Sequence, residues 1–140
     1  MNILSRNEEQ TLAFAAKLAK AVKPGVICLS GPLGAGKTTF VRGFLRGLGY
    51  RGAVRSPTFA LVHEYPRVKP RVYHLDLYRI EDSGELDGMG LEDCLSDVGA
   101  VSLIEWPEIA AGRLPARRVD ISFAHARGGG RSLRLRRRRR

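Results

Sequence analysis

The sequence predicts an α/β fold with helices on both faces of a mixed, largely parallel central sheet. Three observations carry this. Strand-like and helix-like patterns alternate along the chain. Two short apolar runs, 26–29 and 100–104, read as strands buried on both faces. A glycine-rich turn, 31–36, joins the first of these runs to a helical stripe.

The elements follow in order. Ser5 with Glu8 has the spacing of a capping box, and Leu12, Ala15, Ala16, Ala19 and Val22 then recur at helical spacing until Pro24-Gly25. After the strand and the glycine turn, Val41, Phe44, Leu45 and Leu48 form a second stripe closed by Gly49. Residues 59–65 and 71–78 read as two strands, with Pro66 and Pro70 near the turn between them. The acidic stretch 81–98, with Leu86, Met89, Leu91 and Leu95, predicts one or two short helices. After the 100–104 strand, residues 117–123 and 133–135 flank Gly128-Gly129-Gly130, which predicts a closing hairpin. A single domain over 1–135 is expected, with 136–140 as a disordered arginine tail.

Composition excludes several classes. No apolar run approaches the ~20 residues of a transmembrane helix. The N-terminus lacks the apolar core of a signal peptide, so a cytoplasmic protein with no membrane contact is expected. Cys28 and Cys94 are too few for a disulfide scaffold and read as buried free thiols. The net charge of +10 is confined to one end. Residues 1–112 hold 13 basic and 13 acidic side chains, whereas residues 113–140 hold 11 arginines and the single acid Asp120. The body is therefore not a basic nucleic-acid platform.

The most specific signal is Gly31-Pro32-Leu33-Gly34-Ala35-Gly36-Lys37-Thr38, which fits the P-loop pattern. It follows a buried strand and opens a helix, as the mechanism requires. Glycines let the backbone turn its N–H groups inward into an anion nest. The helix start adds unpaired N–H groups and the positive end of its dipole. Lys37 reaches the β- and γ-phosphates, and the Thr38 hydroxyl is placed to ligate Mg²⁺. A P-loop NTPase-like three-layer domain is the expected architecture.

Such a site needs an acid at the carboxyl end of a strand. Two qualify: Asp76, inside the strand-like His74-Leu75-Asp76-Leu77-Tyr78-Arg79, and Glu105, at the end of an apolar run, which has the cleaner Walker-B shape. Thr58, in Ser56-Pro57-Thr58, is either a γ-phosphate sensor in a switch-like loop or part of a strand-initiating turn. Trp106 either stacks near a nucleotide or fills the core. His63 and His74 lack metal spacing and read as structural. No Asn/Thr-Lys-x-Asp tetrapeptide is present, which favours ATP over GTP.

Taken together, LGAGKTT at 33–39, SPTF at 56–59, HLDLYR at 74–79 and EWPE at 105–108 resemble the TsaE (also YjeE) family of bacterial P-loop ATPases, over about residues 5–125. The resemblance implies that Gly31, Leu33, Gly34, Ala35, Gly36, Lys37, Thr38 and Thr39 cradle ATP, with Thr11 and Trp106 close to the nucleotide. It implies Mg²⁺ on Thr38 and Glu105. Asp76 would position the metal or activate water, and Thr58 would belong to a switch loop. It further implies a protein that leaves tRNA chemistry to a TsaB–TsaD pair, which transfers threonylcarbamoyl to adenosine 37 of ANN-decoding tRNAs, and that resets this pair by ATP hydrolysis. Pro32 stands where the family often has an acid or polar residue. The arginine-rich C-terminus is outside the resemblance and reads as a tRNA phosphate contact or a solvated tail.

Two other readings compete with a partner-dependent ATPase. One is a small phosphotransferase, with Asp76 as base on a hydroxyl metabolite. It is disfavoured because little chain is left for an acceptor domain. The other is a nucleic-acid-binding accessory protein that reads through its tail. It is disfavoured because base reading needs aromatic platforms, and no Phe, Trp or Tyr follows Phe123.

Overall fold

The computed structural model describes residues 1–54 and 62–139. Strands β1 (Asn2–Ser5), β2 (Gly25–Ser30), β3 (Val62–Tyr65), β4 (Val72–Asp76), β5 (Val101–Glu105), β6 (Arg118–His125) and β7 (Arg131–Arg138) form one sheet. Its order is β1-β7-β6-β2-β5-β4-β3. The centre, β6-β2-β5-β4, is parallel throughout; antiparallel pairing is confined to β7 with its two neighbours and to β3 with β4. The expected three-layer, mixed and largely parallel architecture is present.

Helices α1 (Glu8–Ala21) and α2 (Lys37–Gly47) cover one face. Ala15, Leu18, Phe40, Phe44 and Leu45 meet Ile27, Leu29, Leu103, Ile121, Phe123, Leu133 and Leu135 in a first core. The short helices α3 (Glu85–Gly88) and α4 (Leu91–Ser96) cover the other face, where Leu86, Leu91 and Cys94 pack on Val26, Cys28, Leu75 and Ile104. Side chains of β2 thus alternate between the two cores at the strand period of two. The same alternation puts Leu103 and Glu105 on the α2 side, with His74 and Asp76 opposite them in register on β4.

Helix α1 starts later than the capping pattern suggests. Ser5 ends β1, a strand of four residues too short to declare itself by alternation. The cap is Asn7, whose side chain accepts from Gln10 N at 2.9 Å, while Gln10 Oε1 accepts from Arg6 N at 2.7 Å. Helix α2 ends as expected: Gly49 takes φ 92°, and Tyr50 N donates to Leu45 O at 2.9 Å.

Close approach of α1 and α2 depends on Gly43 and Gly47. A Cβ at Gly43 would lie 2.6 Å from Leu12 O, and one at Gly47 2.5 Å from Ala16 O.

The expected tail is corrected in part. β7 continues to Arg138, and Arg136, Arg137 and Arg138 pair with Asp120, Val119 and Arg118 of β6. Backbone pairing with an eight-residue partner strand, and the packing of Leu133 and Leu135, carry the arginines along. Among the described residues no helix is long and apolar enough to cross a membrane.

Candidate functional site

The glycine-rich loop joins β2, in the centre of the sheet, to α2. Gly36 is the N-cap of α2 at φ 103° and Gly34 sits at φ 74°; a Cβ on either would meet nothing within 4 Å. Glycine is required there by backbone conformation, not by crowding. Among the described residues no side chain caps α2, and its first turn carries no acid. Its leading N–H groups and dipole therefore face the loop without an internal anion.

Lys37 folds back over the loop. Its Nζ donates to Gly31 O and, at 3.4 Å, to Pro32 O, and it lies 3.5 Å from the centroid of the Trp106 ring. Burial pushes the Lys37 pKa below its ordinary value, against the pull of Glu105, Glu108 and Asp76. Trp106 is held at φ 58°, ψ 56°, a left-handed conformation rare for a bulky residue. Its ring is also 4.9 Å from that of Tyr78.

The next residue, Thr38, points at the sheet. Its Oγ1 donates to Glu105 at 3.2 Å (Oε2) and 3.4 Å (Oε1). Glu105 is only 3% exposed, yet its carboxylate is satisfied from a second side by His74 Nε2 at 2.6 Å. A carboxylate only accepts, so Nε2 is the protonated nitrogen. Asp76 pairs in register with Glu105 one strand away and accepts from Tyr78 N at 3.0 Å. Burial pushes its pKa up, and the neighbouring Glu105 charge adds to this.

These groups surround a cavity of about 330 Å³. Of the residues singled out in the sequence, Leu33, Gly34, Gly36, Lys37, Thr38, Thr39, Asp76, Glu105, Trp106 and Thr11 form its wall. Thr11 Oγ1 is 2.6 Å from Ser5 Oγ. Two are not in that wall: Ala35 turns its methyl into the first core, and Gly31 contributes its carbonyl to Lys37 from below. Thr58 lies outside the described residues.

Sequence reasoning missed His74, Tyr78 and Arg131. His74 stands two residues before Asp76 in a strand, so period two places both on one face; that signal was available. Arg131 had none. It reaches the loop, Nε to Gly34 O at 3.2 Å, only because β7 folds back beside β6.

Chemically, main-chain donors and an ammonium stand on one side of the cavity, with a hydroxyl and two carboxylates on the other. The set fits a polyphosphate chain accompanied by a hard, oxygen-preferring cation. A phosphate-type loop leaving a central parallel strand, with carboxylates ending the next two strands, defines a P-loop NTPase-like domain.

Residues 5–133 match the family described as "Threonylcarbamoyl adenosine biosynthesis protein TsaE". Similar proteins carrying the name tRNA threonylcarbamoyladenosine biosynthesis protein TsaE include that of Bacillus subtilis, 43% identical over 86% of this chain and 75% of its own length. That of Haemophilus influenzae is also 43% identical, over 84% and 77%. That of Treponema pallidum is 34% identical over 95% and 98%. The crystal structure of Bacillus subtilis YdiB superposes with a TM-score of 0.80 at 35% identity, covering 95% of this chain and 82% of that one. The chain belongs to the TsaE family, whose members serve tRNA threonylcarbamoyladenosine biosynthesis.

Proposed function

We propose that this protein is a Mg²⁺-dependent ATPase that acts on a TsaB–TsaD partner complex to support threonylcarbamoyl transfer to adenosine 37 of ANN-decoding tRNAs. One observation carries the nucleotide reading. The first two residues of α2 split their tasks: Lys37 stays with the loop carbonyls while Thr38 donates to Glu105, whose neighbour in register is Asp76.

In this reading the loop amides from Leu33 to Thr39 and the Lys37 ammonium hold the phosphates. The Lys37 hydrogen bonds to Gly31 and Pro32 carbonyls are exchanged for stronger, charge-assisted ones to phosphate. Thr38 and Glu105 hold Mg²⁺, which when bound offsets the charge on the phosphate oxygens. His74 fixes the Glu105 carboxylate from behind. Asp76 orients the attacking water: the water oxygen bonds to the γ-phosphorus, the bond to the ADP oxygen breaks, and the water proton leaves on phosphate or to solvent. Thr11 and Trp106 flank the nucleotide, and Thr58 would belong to a loop that responds to the γ-phosphate.

Dependence on a partner is supported by family membership. The expected outcome is little ATP turnover by this protein alone and strong stimulation by TsaB and TsaD counterparts, measured as phosphate release. High turnover alone, unchanged by them, would contradict the proposal.

A further inference from the structure

The arginines of β7 do not point the same way. The strand period sends Leu133 and Leu135 into the first core and Arg134, Arg136 and Arg138 to the opposite face. β6 pairs so that Ser122, Asp120 and Arg118 stand beside them: Arg134 with Ser122, Arg136 with Asp120, Arg138 with Arg118. On the far side, Asn2 of β1 is the partner of Arg134. The second core stops at β2. Among the described residues it takes no member from β1, β6 or β7; Pro107, Glu108, Ala111 and Leu114 line a cavity with Arg118, Asp120 and Ser122 of β6, so β7 and β1 form the uncovered part of that face.

Arg134, Arg136 and Arg138 on the bare face, and Arg118 beside them, which is held by Asp120 and the Pro115 carbonyl, meet one carboxylate. Asp120 pairs with Arg118 at 2.9 Å and lies 3.7 Å from Arg138. Arg134 and Arg136 are exposed and form no ion pair among the described residues. Like charges set side by side on a sheet repel, so the face gains from an external polyanion. Alternate residues of a strand stand about 6.7 Å apart, similar to the spacing of successive phosphates along a nucleic-acid strand. The fork of each guanidinium suits a phosphate better than a point charge would.

We propose that the open face of the β6–β7 hairpin, through Arg134, Arg136 and Arg138, is a docking surface for the phosphate backbone of RNA. The neighbouring outward residues, Ser122, Ala124, Ser132 and Asn2, offer no aromatic platform, so binding is to the backbone and independent of base sequence. RNA is favoured over an acidic protein by the regular spacing and by the family's place in tRNA modification. The surface is separate from the nucleotide site and does not rest on ATP hydrolysis.

The test is fluorescence anisotropy of the full chain, without nucleotide, against a tRNA transcript and a single-stranded poly(U) RNA, from roughly 50 to 200 mM salt. Both RNAs are expected to bind with a steep salt dependence. Arg134→Gln/Arg136→Gln should weaken both by about tenfold or more and reduce the log–log salt slope by about two. Arg134→Lys/Arg136→Lys, which keeps the charge, should retain affinity within about threefold. Removing two arginines elsewhere, Arg46→Gln/Arg67→Gln, should leave the slope unchanged. An equal loss in that control would mean net charge alone and overturn the proposal. So would poly-glutamate binding as tightly as RNA, which would assign the face to an acidic protein. A urea midpoint near the wild-type value shows that the glutamine pair is folded. If it is not, Arg136→Gln alone must lower the slope by about one, and an unchanged slope overturns the proposal.

Discussion

His74 Nε2 lies 2.6 Å from Glu105 Oε2, and the same carboxylate accepts from Thr38 Oγ1 at 3.2 Å. The imidazole is fully buried and its Nδ1 has no hydrogen-bond partner among the described residues. Its hydrogen bond through Nε2 aims Glu105 at the start of α2. Removing the residue behind a ligand typically lowers metal affinity 10- to 100-fold. His74→Ala is expected to weaken Mg²⁺-dependent ATP binding by about that factor while leaving Mg²⁺-free binding nearly unchanged. His74→Gln, which restores a donor, should recover part of the loss. Calorimetric titration with and without Mg²⁺ checks this.

Asp76 predicts a trade between stability and activity. Its folded-state pKa is raised, chiefly by burial. The folded protein therefore binds this proton more tightly than the unfolded chain, and the ionised carboxylate opposes folding at neutral pH. Asp76→Asn keeps an acceptor for Tyr78 N and removes that charge. Its melting temperature should exceed wild type by a few degrees at neutral pH. The difference should shrink as the pH falls through the folded-state pKa towards the ordinary value of 3.8. Turnover in the assembled complex should fall by about a hundredfold, on the order of the cost of misplacing a reacting group.

Gly43 and Gly47 set the distance between α1 and α2. Gly43→Ala must force the helices apart at Leu12, so a loss of about 1–3 kcal/mol is expected from urea unfolding. Because α2 begins with Lys37 and Thr38, the same change should weaken nucleotide binding, whereas Gly112→Ala, with open space around it, should not.

Both thiols should be inert in the folded protein. Burial pushes Cys28 up to about 12 and Cys94 up to about 11. At pH 8 the thiolate fraction of Cys28 is about one in ten thousand. Ellman's reagent should find neither cysteine in native protein and both after denaturation.

Much of the fold was legible because its signals are local. The 26–29 and 100–104 runs, the Gly49 cap and the Gly128–Gly130 turn each report a backbone requirement within a few residues. β1 was not legible: four residues with one apolar side chain turned inward leave no pattern, and their partner lies about 130 residues away. Arg131 was hidden by the 97 residues that separate it from Gly34, and the arginine run concealed the extension of β7 to Arg138 because composition outweighed the alternation set by Leu133 and Leu135. At the site, Lys37, Thr38 and Glu105 were legible through spacing and strand-end placement. Trp106 stayed ambiguous in sequence because nothing there fixes its left-handed backbone, which is what swings the ring over Lys37.

That ring offers the most direct test. Trp106 is the chain's single tryptophan, and the Lys37 ammonium lies 3.5 Å from its centroid. Titrating ATP with Mg²⁺ while recording tryptophan emission follows the one residue that reports Lys37 leaving for phosphate. A saturable change is expected, tighter with Mg²⁺ than without, lost in Lys37→Ala and insensitive to Mg²⁺ in Glu105→Ala. A titration with no saturable change, or one identical in Lys37→Ala, would contradict the assignment of this cavity to a nucleotide.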